Sequence, residues 1–563
     1  MSERNKSGLK RRADFVLPAI VIGLFAAASA QRIGAVPVPD DGDESMILQV
    51  PYEIMHHGKF AWPMYRFLGG GIDETWHSFR PVYYWLMTGF FKVFGWGLAQ
   101  GRVFTLIGAC LLLVFVYIVG RRLFDWRTGF IAVVALVCDP TFLERARMVR
   151  NEHVAMMFAM AAFYLYERAE EKENRKLFLA SGVAAGAGVM THTNVLYLLA
   201  AVLLLMLLRR GRRAISSLPL YLFSAGAVLA MAYEIISDLT DLANVALQYR
   251  GDRAHFNLFS IDGIWRSLST EPNRYQRWFA GAEVFPLSSV SPTLLHVFQA
   301  LIVAAVLYLL VTAVRRIRSG GAMADARVRI FIVTLVAVLF FALATGPKRK
   351  SVIYVVYLSP WFALCVGALG RDLLQRAKTL FYGRWRFVKI YRIATAVAVI
   401  LATTAFALLL ARQSRQYLRA VRDPNTASFE ELKAALQSIV PDGVCPVSVL
   451  RPVVWLAFPE SDRCYASIEG RMLDEVDIEG KEFALFTIGH KPEEWTKKPL
   501  EEYHVLGEAR NTPYGDFVIY YLGVNSRYQS LVPTLYEFHG TQRGYRRIES
   551  EPQNLWSIPG SPE

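Results

Sequence analysis

Two short polar segments interrupt an otherwise apolar sequence, and the first of them is rich in carboxylates. PDDGDES at 39–45 contains four acidic residues within five positions. A carboxylate can take the proton of an attacking hydroxyl group, so Asp43 and Glu44 are candidates for a general base. The alternative is an acidic loop that is merely solvated.

The second polar segment is ERARMVRNE at 144–152, which lies at the tip of an apolar hairpin. Ionisable groups at membrane depth are costly, and they therefore often mark functional sites. Arg150 and Glu152 are the candidates here, as a cation for an anionic substrate and a second carboxylate. The alternative is a turn whose arginines reach out to lipid phosphates.

Other polar residues give weaker signals for metal binding or substrate contact. Asp41-Gly42-Asp43 matches the short Asp-x-Asp pattern with which some sugar transferases hold a metal, and His56, His57 and His77 lack the spacing of a known metal site. A divalent metal is therefore possible, its ligands are unknown, and no cofactor is certain. His192 lies at the apex of the next hairpin, where a polar turn is required in any case.

Composition limits what kind of protein can position these residues. The chain has 563 residues, 54% of them hydrophobic and 20% charged, and long uncharged runs such as 103–120 and 393–411. A helix needs about 20 apolar residues to cross a bilayer, so the sequence predicts a polytopic α-helical membrane protein and excludes an ordinary soluble enzyme. The net charge of +14 lies in short loops between apolar runs, which argues against a nucleic-acid partner.

The basic N-terminus MSERNKSGLKRR predicts a cytoplasmic start at 1–13, followed by a first crossing. A cleavable signal peptide ending near AAASA at 26–30 is the alternative. If 82–97 lies along the outer interface and does not cross, nearly all strongly basic loops face the cytoplasm. About eleven crossings then follow: 14–33, 101–120, 128–143, 153–167, 177–191, 194–208, 215–236, 293–314, 330–345, 351–369 and 393–411.

This topology predicts a transmembrane catalytic domain over 14–411 whose outer loops include 34–100 and 237–292. One outer segment, GPKRKS at 346–351, breaks the orientation rule with three consecutive cations, Lys348, Arg349 and Lys350. Such an exception indicates a functional role, and anionic lipid headgroups are the alternative partner.

The remainder, 412–563, is predicted to be a small extracytoplasmic α/β domain. SFEELKAALQSIV at 428–440 has a helical pattern, and FALFTIG at 483–489 and FVIYYLG at 517–523 are typical of strands. Cys445 and Cys464 could form a disulfide in an oxidising compartment. The other cysteines, Cys110, Cys138 and Cys365, lie within apolar runs and are expected to be packing residues.

The order of these segments resembles a known family. An Asp-Glu pair in the first outer loop, the segment 79–130 and the segment 142–169 are similar to the GT-C glycosyltransferases of the dolichyl-phosphate-mannose protein mannosyltransferase superfamily, especially its bacterial branch with the lipid A aminoarabinose transferases. The resemblance covers about 14–370 and is strongest over 79–169. It implies a GT-C fold and a sugar donor linked to a polyprenyl phosphate.

The family motifs match this sequence unevenly. Asp43-Glu44 matches the Asp-Glu pair whose Asp is the usual catalytic candidate, and Arg150 with Glu152 matches an Arg-x-acid at the second outer tip. Phe79-Arg80-Pro81 replaces the usual His-Pro-Pro, so Arg80 and His77 are substrate-loop candidates, and His192 stands where many relatives have Lys. The resemblance assigns donor phosphate binding to the following residues: Arg102, Arg150, Lys350 and Tyr354.

The resemblance also implies the reaction, an inverting transfer in one displacement to an acceptor hydroxyl on the extracytoplasmic face of the cytoplasmic (inner) membrane. Asp43 is the expected base, and Glu152 organises the acceptor or a metal. The expected partners are the lipid-linked donor, a lipid, glycan or protein acceptor, and the bilayer. A transporter or flippase of a lipid-linked substrate is the main alternative, although no inverted repeat is apparent. A sensor or assembly protein is the third.

Overall fold

A computed structural model gives the fold. It describes residues 3–35, 43–64, 71–72, 74–77, 80–248, 261–279, 292–319, 322–344, 352–382, 415, 419, 422, 429–441, 444–449, 452–459, 466–468, 483–488, 503–512, 515–522 and 534–537.

The described residues up to 382 are helical wherever they form regular structure. Its helices are α1 (Glu3–Ala30), α2 (Asp43–His56), α3 (Pro81–Phe94), α4 (Leu98–Leu123), α5 (Trp126–Val137), α6 (Pro140–Arg145), α7 (Glu152–Lys172), α8 (Arg175–Val189), α9 (Leu196–Arg210), α10 (Leu218–Thr240), α11 (Leu242–Gln248), α12 (Ile261–Phe279), α13 (Pro292–Arg318), α14 (Ala326–Ala344) and α15 (Ser359–Tyr382). Short 3-10 turns at Thr193–Val195 and Val352–Tyr357 precede α9 and α15.

Within the described part of the chain, five helical segments are long and apolar enough to cross a membrane: Leu98–Leu123, Thr193–Ala214, Leu218–Thr240, His296–Arg318 and Ala326–Ala344. The predicted crossing 393–411 lies outside the described residues. Helix α3 has 14 residues and is about 21 Å long, which is shorter than the hydrocarbon core of about 30 Å. The prediction of a polytopic helical membrane protein is confirmed, and the length of α3 is consistent with an interfacial position.

Helix α2 is an element that the sequence analysis did not predict within the outer loop 34–100. Asp43 and Glu44 occupy the first turn of α2, where carboxylates interact favourably with the helix dipole. Ile47, Leu48 and Val50 are buried and anchor the helix to the rest of the molecule. The high content of Pro, Gly and Asp in the flanking residues concealed this short amphipathic helix.

The predicted crossing 128–143 is also corrected, because it is divided into α5 and α6. Pro140 begins α6, and Asp139 caps it by accepting a hydrogen bond from Thr141 N at 3.0 Å. The other carboxylate oxygen of Asp139 accepts one from Ser359 Oγ at 2.5 Å, which ties this break to the start of α15. The break turns the chain into the polar tip that carries Arg150.

Helices α8 and α10 approach each other closely because glycines line their contact. A Cβ atom on Gly182 would lie 2.0 Å from Phe223 O, and one on Gly226 would lie 2.3 Å from Leu179 O. Small residues permit such backbone contact between membrane helices. The contact fixes α10, which carries Glu234 and Asp238 near the N-terminus of α3.

The end of α1 is held by two buried arginines. Arg147 donates hydrogen bonds to Ser29 O at 2.6 Å and to Gln31 O at 2.8 Å, and Arg102 donates one to Ile33 O at 2.9 Å. Cations near the carbonyls at a helix C-terminus are stabilising. Cleavage after Ala30 would remove the Ser29 acceptor of Arg147, whereas Gln31 O and Ile33 O would remain with their arginines.

The C-terminal part forms the predicted α/β unit. It contains α16 (Phe429–Ile439) and a mixed six-stranded sheet in the order β2-β1-β3-β5-β4-β6. The strands are β1 (Cys445–Val449), β2 (Ala466–Ile468), β3 (Phe483–Ile488), β4 (Tyr503–Thr512), β5 (Gly515–Leu522) and β6 (Thr534–Glu537). β1 lies parallel to β2 and β3, whereas β5 lies antiparallel to β3 and β4. Cys445 is disulfide-bonded, and Cys464, its predicted partner, lies outside the described residues.

The C-terminal unit shares a hydrophobic core with the first loop. Trp455 is fully buried, and its ring centroid lies 5.7 Å from that of Tyr52 on α2 and 5.6 Å from that of Trp96. Phe429 and Leu432 of α16 belong to the same cluster. The unit therefore packs against the back of the helix whose first residue is Asp43.

Candidate active site

Arg150 joins two candidate carboxylates from different parts of the chain. Its guanidinium group donates hydrogen bonds to Glu152, with Nε–Oε1 and Nη2–Oε1 distances of 3.0 and 2.8 Å, and Nη1 donates to Asp43 Oδ2. Glu152 is almost fully buried, whereas the Asp43 side chain is 43% exposed. Asp43 is therefore the carboxylate that a substrate can reach, and Glu152 lies behind the arginine.

The charge state of Glu152 follows from these neighbours. Burial alone would raise the pKa of this carboxyl group, but Arg150 opposes it, assisted by Arg145 and His192, and the pKa falls to about 2. Glu152 is therefore ionised at any physiological pH. An ionised Glu152 holds the guanidinium group of Arg150 in place.

Glu44 and Arg102 form a sealed pair beside this cluster. Arg102 Nε and Nη2 donate to Glu44 Oε1 and Oε2 at 2.9 and 2.7 Å, and both side chains are 0% exposed. Val149 N also donates to Glu44 Oε1, at 2.7 Å. The pair thus links α2, α4 and the tip before α7, and it lies behind the accessible surface on which a catalytic Glu44 or a phosphate-binding Arg102 would have to act.

The hairpin tip at His192 lies against the same cluster. Asn151 Nδ2 donates to Thr191 O at 3.3 Å, and Val82 N donates to Met190 O at 3.0 Å. His192 Nδ1 accepts a hydrogen bond from Asn194 N at 3.1 Å, which leaves the proton of a neutral imidazole on Nε2.

Desolvation lowers the pKa of His192 to about 4; Glu152 opposes this shift, whereas Arg150 and Arg80 reinforce it. At pH 7 the side chain is therefore a neutral hydrogen-bond donor, and it adds no positive charge of the kind that a lysine would supply at this position.

His77 and Arg80 lie against α10. Arg80 Nη1 donates to Glu234 Oε1 at 2.6 Å. His77 Nε2 lies 3.1 Å from Asp241 Oδ2, and its Nδ1 lies 3.5 Å from Asp238 Oδ1. The structure therefore brings both predicted substrate-loop residues to the corner of α3 and α10, where each faces a carboxylate. Phe79 lies outside the described residues.

Tyr354 lies beside a cation that sequence reasoning missed. The guanidinium carbon of Arg274 lies 5.4 Å from the centroid of the Tyr354 ring, and Arg274 also donates to Glu271 at 2.9 Å and to Phe341 O at 3.2 Å. Arg274 is on α12, inside the predicted loop 237–292. The only signal in the sequence was its place on one side of a short amphipathic pattern. Lys350 lies outside the described residues.

The 3-10 turn Val352–Tyr357 lies between the cluster at Arg150 and His192 and the pair of Tyr354 and Arg274. Its last residue, Tyr357, packs against His192 with ring centroids 5.1 Å apart, and Tyr354 lies three positions earlier in the same turn. The turn thus links the cluster of Asp43, Arg150 and His192 to Tyr354 and, behind it, to the fully buried Arg274.

The Asp-x-Asp pattern raised as a metal site in the sequence includes Asp41, which lies outside the described residues. Among the described residues, no three side chains of His, Cys, Asp or Glu are grouped so that they could hold a metal. Asp43 and Glu152 share Arg150 as a counter-ion, so their negative charge is already partly compensated. The arrangement provides an exposed carboxylate, a fixed cation and a neutral donor, which suits proton abstraction beside an anionic substrate.

Comparisons with known proteins agree with the resemblance noted in the sequence. Residues 77–236 match the family model described as dolichyl-phosphate-mannose-protein mannosyltransferase. Among proteins of curated function, no sequence matches this chain significantly.

Solved structures resemble the chain over most of its length. The crystal structure of ArnT from Cupriavidus metallidurans bound to undecaprenyl phosphate has a TM-score of 0.54 at 12% identity, covering 90% of this chain and 99% of ArnT. The apo form of ArnT gives 0.55 at 13% identity with the same coverage. The apo oligosaccharyltransferase of Archaeoglobus fulgidus gives 0.50 at 13% identity, covering 84% of this chain and 69% of that one. The predicted GT-C fold is confirmed.

Proposed function

We propose that this protein is a glycosyltransferase that moves a sugar from a polyprenyl-phosphate donor to an acceptor hydroxyl group, with inversion at the sugar carbon. The observation that carries the proposal is the cluster of Asp43, Arg150 and Glu152, in which only Asp43 is substantially exposed. The GT-C fold and the undecaprenyl phosphate bound to ArnT support the class of donor.

In this reaction Asp43 takes the proton of the acceptor hydroxyl group as its oxygen attacks the anomeric carbon. The bond between that carbon and the phosphate oxygen breaks at the same time, and the polyprenyl phosphate leaves with the bonding electron pair. Arg150 fixes the position of the Asp43 carboxylate, and Glu152 fixes Arg150. A hydrogen bond from neutral His192 Nε2 to the sugar or the acceptor would orient that substrate without adding a positive charge to the site.

The leaving phosphate requires cations and hydroxyl donors. We assign this role to Tyr354 together with Lys350 from the sequence pattern. Arg274 is fully buried, and its guanidinium carbon lies 5.4 Å from the centroid of the Tyr354 ring, so we assign it the positioning of Tyr354. Arg102 and Glu44 are assigned a positioning role, because their bidentate pair is fully buried. No step requires a metal ion.

The proposal includes the side of the membrane. The alternation of basic loops supports a cytoplasmic segment at 1–13, a transmembrane catalytic domain over 14–411 and an extracytoplasmic domain over 412–563 in the cytoplasmic membrane. Asp43 and Glu152 then lie in outer loops, on the side away from soluble nucleotide sugars. A lipid-linked donor suits that location.

Transfer in sealed vesicles tests the activity and the side together. Right-side-out membrane vesicles that contain the protein are supplied with polyprenyl-phosphate sugars, and both glycan analysis and lipid analysis follow the product. We expect loss of one donor and a matching glycosylated acceptor on the outer surface only. Consumption of no donor would contradict the enzyme, and product confined to the vesicle interior would contradict the orientation.

Arg274→Gln is expected to raise the KM for the lipid donor roughly tenfold, because Tyr354 loses the cation that positions its ring, and a desolvated cation–π contact is worth up to about 2 kcal/mol. Arg266→Gln is the matched control, since this arginine is on the same helix and its side chain is 68% exposed. The double variant Arg274→Gln with Glu271→Gln avoids an unpaired buried carboxylate and should show the same rise. An unchanged donor KM in a folded double variant would contradict the positioning role of Arg274.

A further inference from the structure

Helix α12 has three different sides, and its apolar side faces away from the protein. Ile261, Trp265 and Leu268 follow one another at helical spacing, and they are 89%, 70% and 36% exposed. Residues at i, i+4 and i+7 share one side of a helix. Exposure of a tryptophan and two aliphatic side chains in a row is costly in water.

The side of α12 that packs against the protein is mostly polar or charged. Ser267, Glu271, Arg274 and Trp278 are 1%, 7%, 0% and 2% exposed, and three of these four residues are polar or charged. With 3.6 residues per turn, this buried side is rotated roughly 120° from the apolar one. The helix therefore buries charge and exposes hydrocarbon, the reverse of a surface helix in a soluble protein.

A third side is polar and exposed. Asp262 and Arg266 form an i,i+4 ion pair with a distance of 2.9 Å, and both side chains are 68% exposed. Ser269, Asn273 and Gln276 lie on the same side. This side is rotated roughly 100° from the apolar stripe, in the direction away from the buried side.

A helix with one protein side, one apolar side and one polar side fits a single kind of environment. At a bilayer surface, lipid chains cover the apolar side and water covers the polar side, while tryptophan and arginine are favoured at the boundary. Helices α13 and α14, which α12 contacts, contain two of the apolar spans. Binding of a soluble partner protein would not require the abrupt change from the apolar side at Trp265 to the polar side at Arg266.

We propose that α12 lies in the lipid–water interface, with the stripe of Ile261, Trp265 and Leu268 in the bilayer and the side of Asp262, Arg266 and Asn273 in water. The partner is the phospholipid surface itself. The inference depends on the membrane location of the protein and not on its reaction. One consequence is that Arg274, on the buried side of the same helix, is held near the depth of the lipid headgroups.

Spin labels at single cysteines measure the depth of each side. The parent is the full chain with Cys110, Cys138 and Cys365 replaced by Ala, in vesicles of phosphatidylethanolamine and phosphatidylglycerol. Nitroxides on Ile261→Cys, Trp265→Cys and Leu268→Cys should be relaxed more by oxygen than by a water-soluble nickel complex. Labels on the matched controls Ser269→Cys and Asn273→Cys should show the reverse.

Two results would overturn the proposal. Equal access of the nickel complex to both stripes would place α12 in water, and protection of the apolar stripe from both reagents would indicate a protein partner. The readout does not use catalysis, so a protein that proves to be inactive as a transferase could still give the expected depth profile. All five labelled positions are exposed in the structure, and single cysteines there leave the packed side of α12 unchanged.

Discussion

Asp43→Asn is expected to lower the rate of sugar transfer at least about a hundredfold, the lower end of what a general base contributes. Asn can still accept the hydrogen bond from Arg150, so the cluster keeps its shape while the proton acceptor is lost. The rate is measured with saturating lipid donor and acceptor, and the folded fraction is measured by thermal unfolding.

Glu74→Gln is the matched control for Asp43, because it removes a carboxylate that is 67% exposed in the same loop region. The control should keep the parental rate. Parental activity in Asp43→Asn at normal expression would move the base elsewhere. Glu44 is then not the obvious successor, because its side chain is fully buried and paired with Arg102.

Glu152→Gln is the second substitution with a large expected effect, at least about a hundredfold in rate, because misplacing a catalytic group by about 1 Å can cost that much. Arg150 would lose its bidentate contact with Glu152 and keep its contact with Asp43, so both the base and the cation lose their relative positions. The rate is compared with that of Glu167→Gln at the other end of α7. Glu167 is also a buried carboxylate, paired with Arg209 at 3.1 Å.

Loss of stability without loss of rate per folded molecule is expected for Glu167→Gln. An equal loss of rate in both variants would mean that Glu152 serves packing alone. The pH dependence gives a second readout. Because the pKa of Glu152 is lowered from 4.5 to about 2, its pairing stabilises the folded state above about pH 4.5, and this stabilisation is lost as the pH falls towards 2. The melting temperature of Glu152→Gln should therefore fall less than that of the parent over this window.

These two substitutions test different parts of one arrangement. Asp43 is the group that changes its protonation state, whereas Glu152 never needs to. Arg150 contacts Glu152 two positions away and Asp43 across 107 positions of sequence. The reaction proposed here thus depends on the relative position of α2 and α7, which the sealed pair of Glu44 and Arg102 maintains.

The sequence by itself determined the class of protein and the chemical groups available to it. Crossing a bilayer requires a minimum run of apolar residues, so long uncharged runs predict membrane helices without any tertiary information. Helical spacing of apolar residues likewise predicted α16, and short apolar segments predicted β3 and β5. The polar tips could be recognised because ionisable residues are rare between such runs, and this pointed to Asp43, Arg150 and Glu152.

The tertiary structure alone decided which of those groups are accessible. Asp43 and Glu44 are neighbours in sequence, but on a helix their side chains point about 100° apart, and only the packing of α2 against α4 buries Glu44 on Arg102. Helix α2 itself was missed, because its short pattern gains stability mainly from burial of Ile47 and Leu48 and not from propensity.

Arg274 shows the same limit over a longer distance. Its sequence neighbours gave no indication of a phosphate site, since the residue that defines its surroundings, Tyr354, lies on a turn 80 positions later. Helical periodicity is a local property and can be read from any window of residues. The pairing of hairpin tips depends on how whole helices pack, and close contacts such as that between Gly182 and Phe223 set that packing.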